Sequence, residues 1–188
     1  MSLIKKEFIE ARSVLDAYLA DDINFERIEN AGKIMVEALK KGHKLISCGN
    51  GGSMSDAMHF AEELSGQFRN RRKALAAISI SDPSHLTCAG NDFGFESIFS
   101  RFVEAVGRDG DVLLAISTSG NSSNVINAAV AAREKGMKVI GLTGKEGGRL
   151  GPLCDVELRA PFTNWSDRTQ EIHIKIIHAL IHYIELNI

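Results

Sequence analysis

A histidine and a carboxylate four residues apart are the side chains of this sequence best suited to acid–base or metal chemistry. His59 and Glu63 lie in a segment, residues 55–66, whose composition predicts a helix, so both would lie on one helix face. At this spacing an imidazole and a carboxylate can bind one metal ion together. A surface ion pair without a catalytic role is the alternative that the spacing leaves open. Glu62 is expected to point away from this face.

A second polar set lies in the last predicted helix, residues 167–186. Its otherwise apolar sequence contains Gln170, Glu171, His173, His178 and His182. Buried imidazoles need a hydrogen-bond or metal partner, and a helical wheel alone would pair His178 with Glu171 or His182. Gln170 precedes His178 by eight residues, about 12 Å along the axis, although two long side chains that lean towards each other could share a metal. The sequence does not decide between these pairings.

The first loop, residues 48–53, is rich in glycine and follows a predicted strand. Glycines at this place let backbone N–H groups approach an anion, and the next helix offers its N-terminus to the same anion. Met54 stands where the dinucleotide fingerprint needs a third glycine, and no Gly-Lys-Ser/Thr follows, so neither nucleotide motif is present. A tight turn without a ligand is the alternative.

The second loop, residues 117–122, carries five hydroxyl or amide side chains in six residues. They are Ser117, Thr118, Ser119, Asn121 and Ser122. Hydroxyls and backbone N–H groups together can satisfy the oxygens of a phosphate monoester. The same residue types are preferred helix N-caps, but a cap requires one of them. The loop therefore favours phosphate binding.

Short apolar runs alternate with helical segments along most of the chain. The predicted strands are residues 44–48, 76–80, 112–116, 138–142 and 156–159, and helices are predicted at 55–66, 84–89, 97–106 and 125–135. Two further helices occupy the first forty residues and break near Asp21, Asp22 and Asn24. This order predicts an α/β fold whose parallel sheet is covered on both faces. Ligands bind such sheets at the carboxyl ends of the strands, where both loops fall.

Composition limits the classes of function. A chain of 188 residues, with 44% hydrophobic and 24% charged residues, is expected to form one domain over residues 1–188. The net charge of −2 argues against nucleic acid as a partner, and no apolar run predicts a membrane span. Three cysteines without a Cys-x-x-Cys pair predict a reducing, cytoplasmic location. The apolar last helix predicts a subunit interface.

The two loops resemble those of the SIS (sugar isomerase) domain family, whose members bind phosphosugars. Five stretches make the chain similar to the phosphoheptose isomerase (sedoheptulose 7-phosphate isomerase) family in particular: residues 47–53, 57–64, 89–94, 110–122 and 170–175. The similarity covers nearly the whole chain. It implies a three-layer αβα sandwich, with a five-stranded parallel sheet in flavodoxin-like order and extra N-terminal helices.

The resemblance also implies an activity. The family consists of aldose–ketose isomerases that convert D-sedoheptulose 7-phosphate to D-glycero-D-manno-heptose 7-phosphate through an enediol. This is the first step of ADP-heptose synthesis for the lipopolysaccharide core. The family is homotetrameric, with active sites at subunit contacts.

Site residues are carried over from the resemblance by position. One Zn²⁺ per subunit would be held by His59, Glu63, Gln170 and His178, with Glu63 as general base and His178 as the acid. The substrate contacts would be Asn50, Gly51, Gly52, Ser53, Glu63, Asn91, Asp92, Ser117, Thr118, Ser119, Ser122 and Gln170. Gln67 stands where the family is expected to carry a basic residue, so that contact is absent or is supplied by Arg69.

Two other functions compete with this interpretation. An isomerase of the same domain family could act on pentose phosphates. A regulatory or assembly protein on the same fold would not be expected to keep all four proposed metal ligands, and all four are present here. A nicotinamide-dependent oxidoreductase is disfavoured because the glycine fingerprint is incomplete.

Overall fold

Two helices precede the sheet in the computed structural model, which describes residues 2–188. They are α1 (Leu3–Leu19) and α2 (Ile23–Lys40), and the break between them lies at the predicted polar residues. The amide of Asn24 donates to the carbonyl of Tyr18 at 2.9 Å, which holds the turn closed.

Five parallel strands form one sheet in the order β2-β1-β3-β4-β5. The strands are β1 (Leu45–Gly49), β2 (Ala77–Ser79), β3 (Val112–Ser117), β4 (Lys138–Thr143) and β5 (Val156–Arg159). Every residue of β1 and β3 is buried, because helices cover both faces of the sheet, and this explains why the strands are continuous apolar runs. The predicted flavodoxin-like order is confirmed.

Helices cover the sheet in two layers, each over its own apolar core. The helices that follow β1 are α3 (Gly52–Ser65), α4 (Pro83–Phe93), α5 (Ser100–Val106), α6 (Ser123–Glu134) and α7 (Ser166–Asn187), with short 3-10 turns at Phe95–Ser97 and Gly151–Leu153. Residues of α2, α3 and α7 pack on the sheet in one core, and residues of α5 and α6 pack on it in the other. The three-layer α/β prediction is confirmed.

The largest differences from the predicted helices are in α4 and α5. The helix predicted at residues 84–89 begins at Pro83, capped by Asp82, and runs through Gly90 to Phe93, so that it includes the polar pair that follows Gly90. The helix predicted at residues 97–106 is divided into a 3-10 turn and the shorter α5.

The apolar residues of α7 pack inside the chain itself. Ile172, Ile176, Ile177, Leu180, Ile181 and Ile184 are all buried in the core shared with α2 and α3. The prediction that they form a subunit interface is therefore wrong for these residues, because α2 and α3 already cover them. Large exposed apolar side chains lie instead on α1, at Leu3, Ile4 and Phe8, and before α7, at Phe162 and Trp165.

None of the helices in the described part of the chain is long and apolar enough to cross a membrane.

Candidate functional site

Helices α3 and α7 bring two imidazoles and a carboxylate together. The Nε2 atoms of His59 and His178 are 3.0 Å apart, and Oε1 of Glu63 is 3.7 Å from Nε2 of His59. The helical wheel alone paired His178 with Glu171 or His182, whereas its neighbour is His59 from another helix. Glu171 instead accepts a hydrogen bond from Arg168 at 2.6 Å. Three of the four proposed metal ligands thus lie in one cluster.

Glu62 also belongs to this cluster, and the prediction that it points elsewhere is wrong. Its Oε1 lies 3.0 Å from Nδ1 of His59, since residues three apart are neighbours on a helix. An Nδ1–H donated to a carboxylate leaves the Nε2 lone pair of His59 free for a metal, which is a common outer partnership of metal-binding histidines. The i, i+3 spacing was the signal in the sequence that could have identified Glu62.

The donor chemistry of this cluster fits a zinc ion. One ligand atom each from His59, Glu62 and Glu63 lie within 4.8 Å of one another, and Nε2 of His178 faces the same imidazole. Imidazole nitrogen and carboxylate oxygen are among the ligands that Zn²⁺ prefers. Without a metal, two facing Nε2 atoms at hydrogen-bond distance require that one of them carries the proton.

An aromatic ring and a guanidinium lie on the other side of His178. The ring of Phe68 stacks on the imidazole with centroids 5.9 Å apart and an angle of 29°, and the guanidinium of Arg69 lies 5.2 Å from the centre of the Phe68 ring. Burial lowers the pKa of His178, and the charge on His59 lowers it further. Burial therefore disfavours the charged form of His178. Sequence reasoning missed Phe68 because it is 110 residues away from its partner.

A further carboxylate lies one turn before His59 on α3. Burial raises the pKa of Asp56 to about 6, although the charge of His59 acts in the opposite direction. Its Oδ2 is buried without a hydrogen-bond partner in residues 2–188. The cluster is therefore bordered by a carboxyl group that takes up a proton more readily than an exposed aspartate does.

Gln170, the fourth proposed ligand, lies against the first loop. A Cβ atom added to Gly52 would be 2.5 Å from Nε2 of Gln170, so the amide occupies the space that a side chain at Gly52 would fill. The separation of eight positions between Gln170 and His178 corresponds to about 12 Å of helix. Within one chain, the structure brings Gln170 to Gly52 and not to the His59–His178 pair.

The first loop turns sharply into α3. Gly51 is the N-cap of α3 and has a φ of 56°, a left-handed conformation that favours glycine. The carbonyl of Asn50 accepts the N–H of Ser53 at 3.0 Å, which closes the turn. The first N–H groups of a helix have no partner within the helix, so this turn offers backbone donors to an anion.

The second loop keeps its hydroxyl groups away from helix capping. Ser122 is the N-cap of α6, but its side chain makes no capping hydrogen bond in the described part of the chain. Its Oγ accepts a hydrogen bond from Oγ of Ser117 at 3.1 Å. The alternative of an N-capping cluster is therefore not supported. Thr118 and Ser119 line a polar cavity of ≈ 230 Å³ together with Lys145 and Trp165.

A reciprocal pair of amides joins the two loops. Nδ2 of Asn50 donates to Oδ1 of Asn124 at 2.8 Å, and Nδ2 of Asn124 donates to Oδ1 of Asn50 at 2.9 Å. Asn124 is 2% exposed and lies in the first turn of α6. Sequence reasoning missed Asn124, because the two partners are 74 residues apart. No local pattern distinguishes Asn124 from the other polar residues around the second loop.

Two proposed substrate contacts lie near the end of α4. Asn91 and Asp92 are exposed in the last turn of α4, and Nδ2 of Asn91 donates to Oδ1 of Asp92 at 2.8 Å. Because α4 begins near the carboxyl end of β2, its last turn is about 14 Å further along the helix axis.

His173 has a structural partner. It is fully buried, and its Nε2 lies 2.8 Å from the carbonyl oxygen of Thr143 at the end of β4, so Nε2–H must be the donor. Burial lowers the pKa of His173 to about 4, so it is neutral at neutral pH. This bond ties α7 to the carboxyl edge of the sheet, between Gln170 and His178.

Comparison with a family model matches residues 8–144 of the chain to the SIS domain. Comparison with known proteins finds the phosphoheptose isomerase of Aeromonas hydrophila, 58% identical over 183 residues, which are 97% of this chain and 95% of that protein. The phosphoheptose isomerase of Escherichia coli K12 is 59% identical over 183 residues, with the same coverage of 97% and 95%.

A solved structure matches the fold over almost the whole chain. The phosphoheptose isomerase of Neisseria gonorrhoeae superposes with a TM-score of 0.90 at 41% sequence identity, covering 97% of each chain.

Proposed function

The chain belongs to the SIS domain family and, within it, to the phosphoheptose isomerases, and from this premise we propose that it converts D-sedoheptulose 7-phosphate to D-glycero-D-manno-heptose 7-phosphate. This reaction would be the first step of ADP-heptose synthesis for the lipopolysaccharide core. The observation that carries the proposal is the cluster of Glu63 with His59 and His178, built by helices whose imidazoles are 119 residues apart.

Ketose–aldose conversion moves a proton between C1 and C2 through an enediol. One group must take a proton from carbon, and another must protonate the carbonyl oxygen. Glu63 is proposed as the base, because its carboxylate is 18% exposed and faces the imidazole pair. His178 is proposed as the acid that works with it. A lowered pKa makes its protonated form a stronger acid.

The proposed zinc ligands in this chain are His59, Glu63 and His178, with Glu62 orienting His59 through its Nδ1. When bound, the metal would polarise the substrate carbonyl and stabilise negative charge on its oxygen. The Nε2 atom of His178 cannot bind a metal and carry a proton at once. When His178 binds the metal through Nε2, only its Nδ1 could carry the proton that it donates as the acid.

The phosphate of the substrate is assigned to the second loop, with Ser53, Gly51 and Gly52 of the first loop also in contact with the substrate. Ser117 and Ser122 are already hydrogen-bonded to each other, so their hydroxyls are preoriented. Binding energy from the remote phosphate would hold the reacting end of the sugar in place. Arg69, which lies over Phe68, is proposed to take the place of the basic residue absent at Gln67.

Gln170 is proposed to complete the zinc site of a second copy of the chain, as expected for a homotetramer with sites at subunit contacts. Its position beside Gly52, away from His178 of its own chain, supports this arrangement. The exposed apolar side chains of α1 are candidates for the contact surface. Mixing Gln170→Ala subunits with His178→Ala subunits should restore part of the activity, because some mixed sites would contain both side chains. Mixtures as inactive as either parent would contradict a shared site.

Domain extent and location are also proposals. The family model ends at residue 144, but α7 packs in the same core as α2, so we propose one domain over residues 1–188. The three cysteines of the described chain are free thiols, which fits a cytoplasmic location.

The activity is tested by assaying sedoheptulose 7-phosphate beside arabinose 5-phosphate and ribulose 5-phosphate. Turnover of the heptulose alone is expected; turnover of a pentose phosphate alone would contradict the proposal.

Glu63→Gln should fold and bind substrate but lose turnover, because a carboxamide cannot accept the proton. Glu104→Gln, in an exposed pair with Arg101 on α5, is the matched control and should keep full activity.

The metal is tested by chelation followed by metal return. Activity should fall on chelation and return with Zn²⁺, and zinc content should fall in His59→Ala but not in Glu104→Gln. Full activity of metal-free protein would remove zinc from the mechanism.

A further inference from the structure

We propose that Asn124 is a positioning residue that sets the first loop against the second by holding the side chain of Asn50. The inference rests on the proposed function, because it assigns Asn124 a part in binding the same substrate. Asn124 itself is buried and is not expected to touch the substrate.

Two hydrogen bonds between the same two amides restrain their relative position more tightly than a single bond does. Because each carboxamide both donates to and accepts from the other, at 2.8 and 2.9 Å, the pair fixes distance and relative orientation together. Such a pair acts as a two-point contact, and neither amide can rotate without losing both bonds.

Asn124 is held firmly on its own side. It lies in the first turn of α6, and its Oδ1 also accepts the N–H of Val125 at 2.9 Å. Val125 and Ala128 are fully buried in the core beneath α6. The second loop and Asn124 therefore move as one unit with α6.

The first loop has less support. Its strand β1 is paired with β3, with Gly49 opposite Ile116, but the chain leaves the sheet directly after Gly49. Gly51 is exposed and, as a glycine, has a wide choice of backbone conformations. The amide contact between Asn50 and Asn124 links the first loop to α6, which follows β3.

This tie changes the role expected for Asn50. Asn124 binds both the oxygen and the nitrogen of the Asn50 carboxamide. The Asn50 side chain therefore holds the first loop in place and is not primarily a substrate contact. The first loop then presents the backbone N–H groups of Gly51 and Gly52 to the substrate, in a geometry that Asn124 sets.

The experiment is a double-mutant cycle on the full-length protein. Asn124→Asp keeps the size of the side chain and the acceptor for Val125 but removes the donor to Asn50. We expect kcat/KM for sedoheptulose 7-phosphate to fall at least tenfold, mainly through KM. Adding Asn50→Ala to Asn124→Asp should cost no more than the more damaging single change, because both remove one contact. Asn127→Ala, one turn further along α6 and bonded to the carbonyl of Glu96, should leave activity unchanged.

A second measurement does not depend on activity. Amide hydrogen exchange of residues 50–54 should become faster in Asn124→Asp, while β3 and β4 stay protected. Full kcat/KM of Asn124→Asp would overturn the proposal, whether or not amide exchange becomes faster. Additive losses of kcat/KM in the double-mutant cycle would also overturn it. If the parent protein did not turn over sedoheptulose 7-phosphate, the proposed function would fail, and unchanged exchange would overturn the tie separately.

Discussion

Replacing Gly52 by alanine should lower turnover about 100-fold through the side chain of Gln170. The new Cβ would lie 2.5 Å from Nε2 of Gln170, whereas ordinary contact begins near 3.4 Å. The amide would therefore have to move by about 1 Å, and a displacement of that size at a reacting centre can cost about 10²-fold in rate. The backbone itself accepts alanine, because Gly52 is not among the residues with positive φ.

Kinetics and thermal unfolding together test whether an alanine at position 52 displaces Gln170. Gly52→Ala should melt within a few degrees of the parent, since about 1 kcal/mol corresponds to roughly 2–4 °C in a chain of this size. In a Gln170→Ala background the same change at Gly52 should have little further effect on kcat, because the clashing amide is gone. An equal loss in both backgrounds, or full turnover of Gly52→Ala alone, would refute the role of the contact.

Gly42 provides the matched control. It lies after α2 at the opposite end of the sheet, with a φ of +83° and no atom of residues 2–188 within 4 Å of an added Cβ. Gly42→Ala should destabilise the protein by about 1 kcal/mol through left-handed strain, but it should leave kcat unchanged. The pair of variants separates loss of stability from displacement of a site residue.

Two further predictions concern stability. Because burial lowers the pKa of His173 to about 4 from an ordinary 6.5, the unfolded chain binds a proton between these values that the folded chain does not. The contribution of His173 to the free energy of unfolding is therefore complete above pH 6.5 and should fall by about 2 kcal/mol on acidification to about pH 5. Urea unfolding at both pH values should show this loss in the parent protein and not in His173→Gln. Glu185→Ala should cost about 3 kcal/mol in urea unfolding, because it leaves the guanidinium of Arg72, 3.4 Å away and 8% exposed, buried without its carboxylate. Arg72→Met combined with Glu185→Leu should cost clearly less, and equal costs would contradict the pairing.

The fold could be predicted from the sequence because its signals are local. β1 and β3 are buried on both faces, so their apolar runs are continuous, and the polar break between α1 and α2 lies where turn residues cluster. The interpretation of α7 went wrong for a related reason. Periodicity showed that its isoleucines must be buried, but it could not tell whether the chain itself or a second subunit covers them.

In the candidate site, too, the contacts within one helix were predictable from the sequence and the contacts between distant segments were not. His59 and Glu63 share a helix, so their spacing predicted that they lie together, and the same rule applied at i, i+3 would have included Glu62. The contacts of His178 with Phe68 and of Asn50 with Asn124 join residues far apart in the chain. No local pattern encodes such contacts, because they depend on how α3, α6 and α7 pack on the sheet.

The packing of α3 against α7 links the two halves of the candidate site. The helices touch at Gly52 and Gln170 near one end and at His59 and His178 further along. These contacts are seven residues apart on α3 and eight on α7, about 10.5 and 12 Å, so the helices run side by side in the same direction. Their inner faces carry apolar residues of one core, such as Phe60 and Ile177. A change in that core that slides one helix along the other would move the loop contact and the imidazole pair together, so activity should follow the packing of α3 on α7 more closely than it follows global stability.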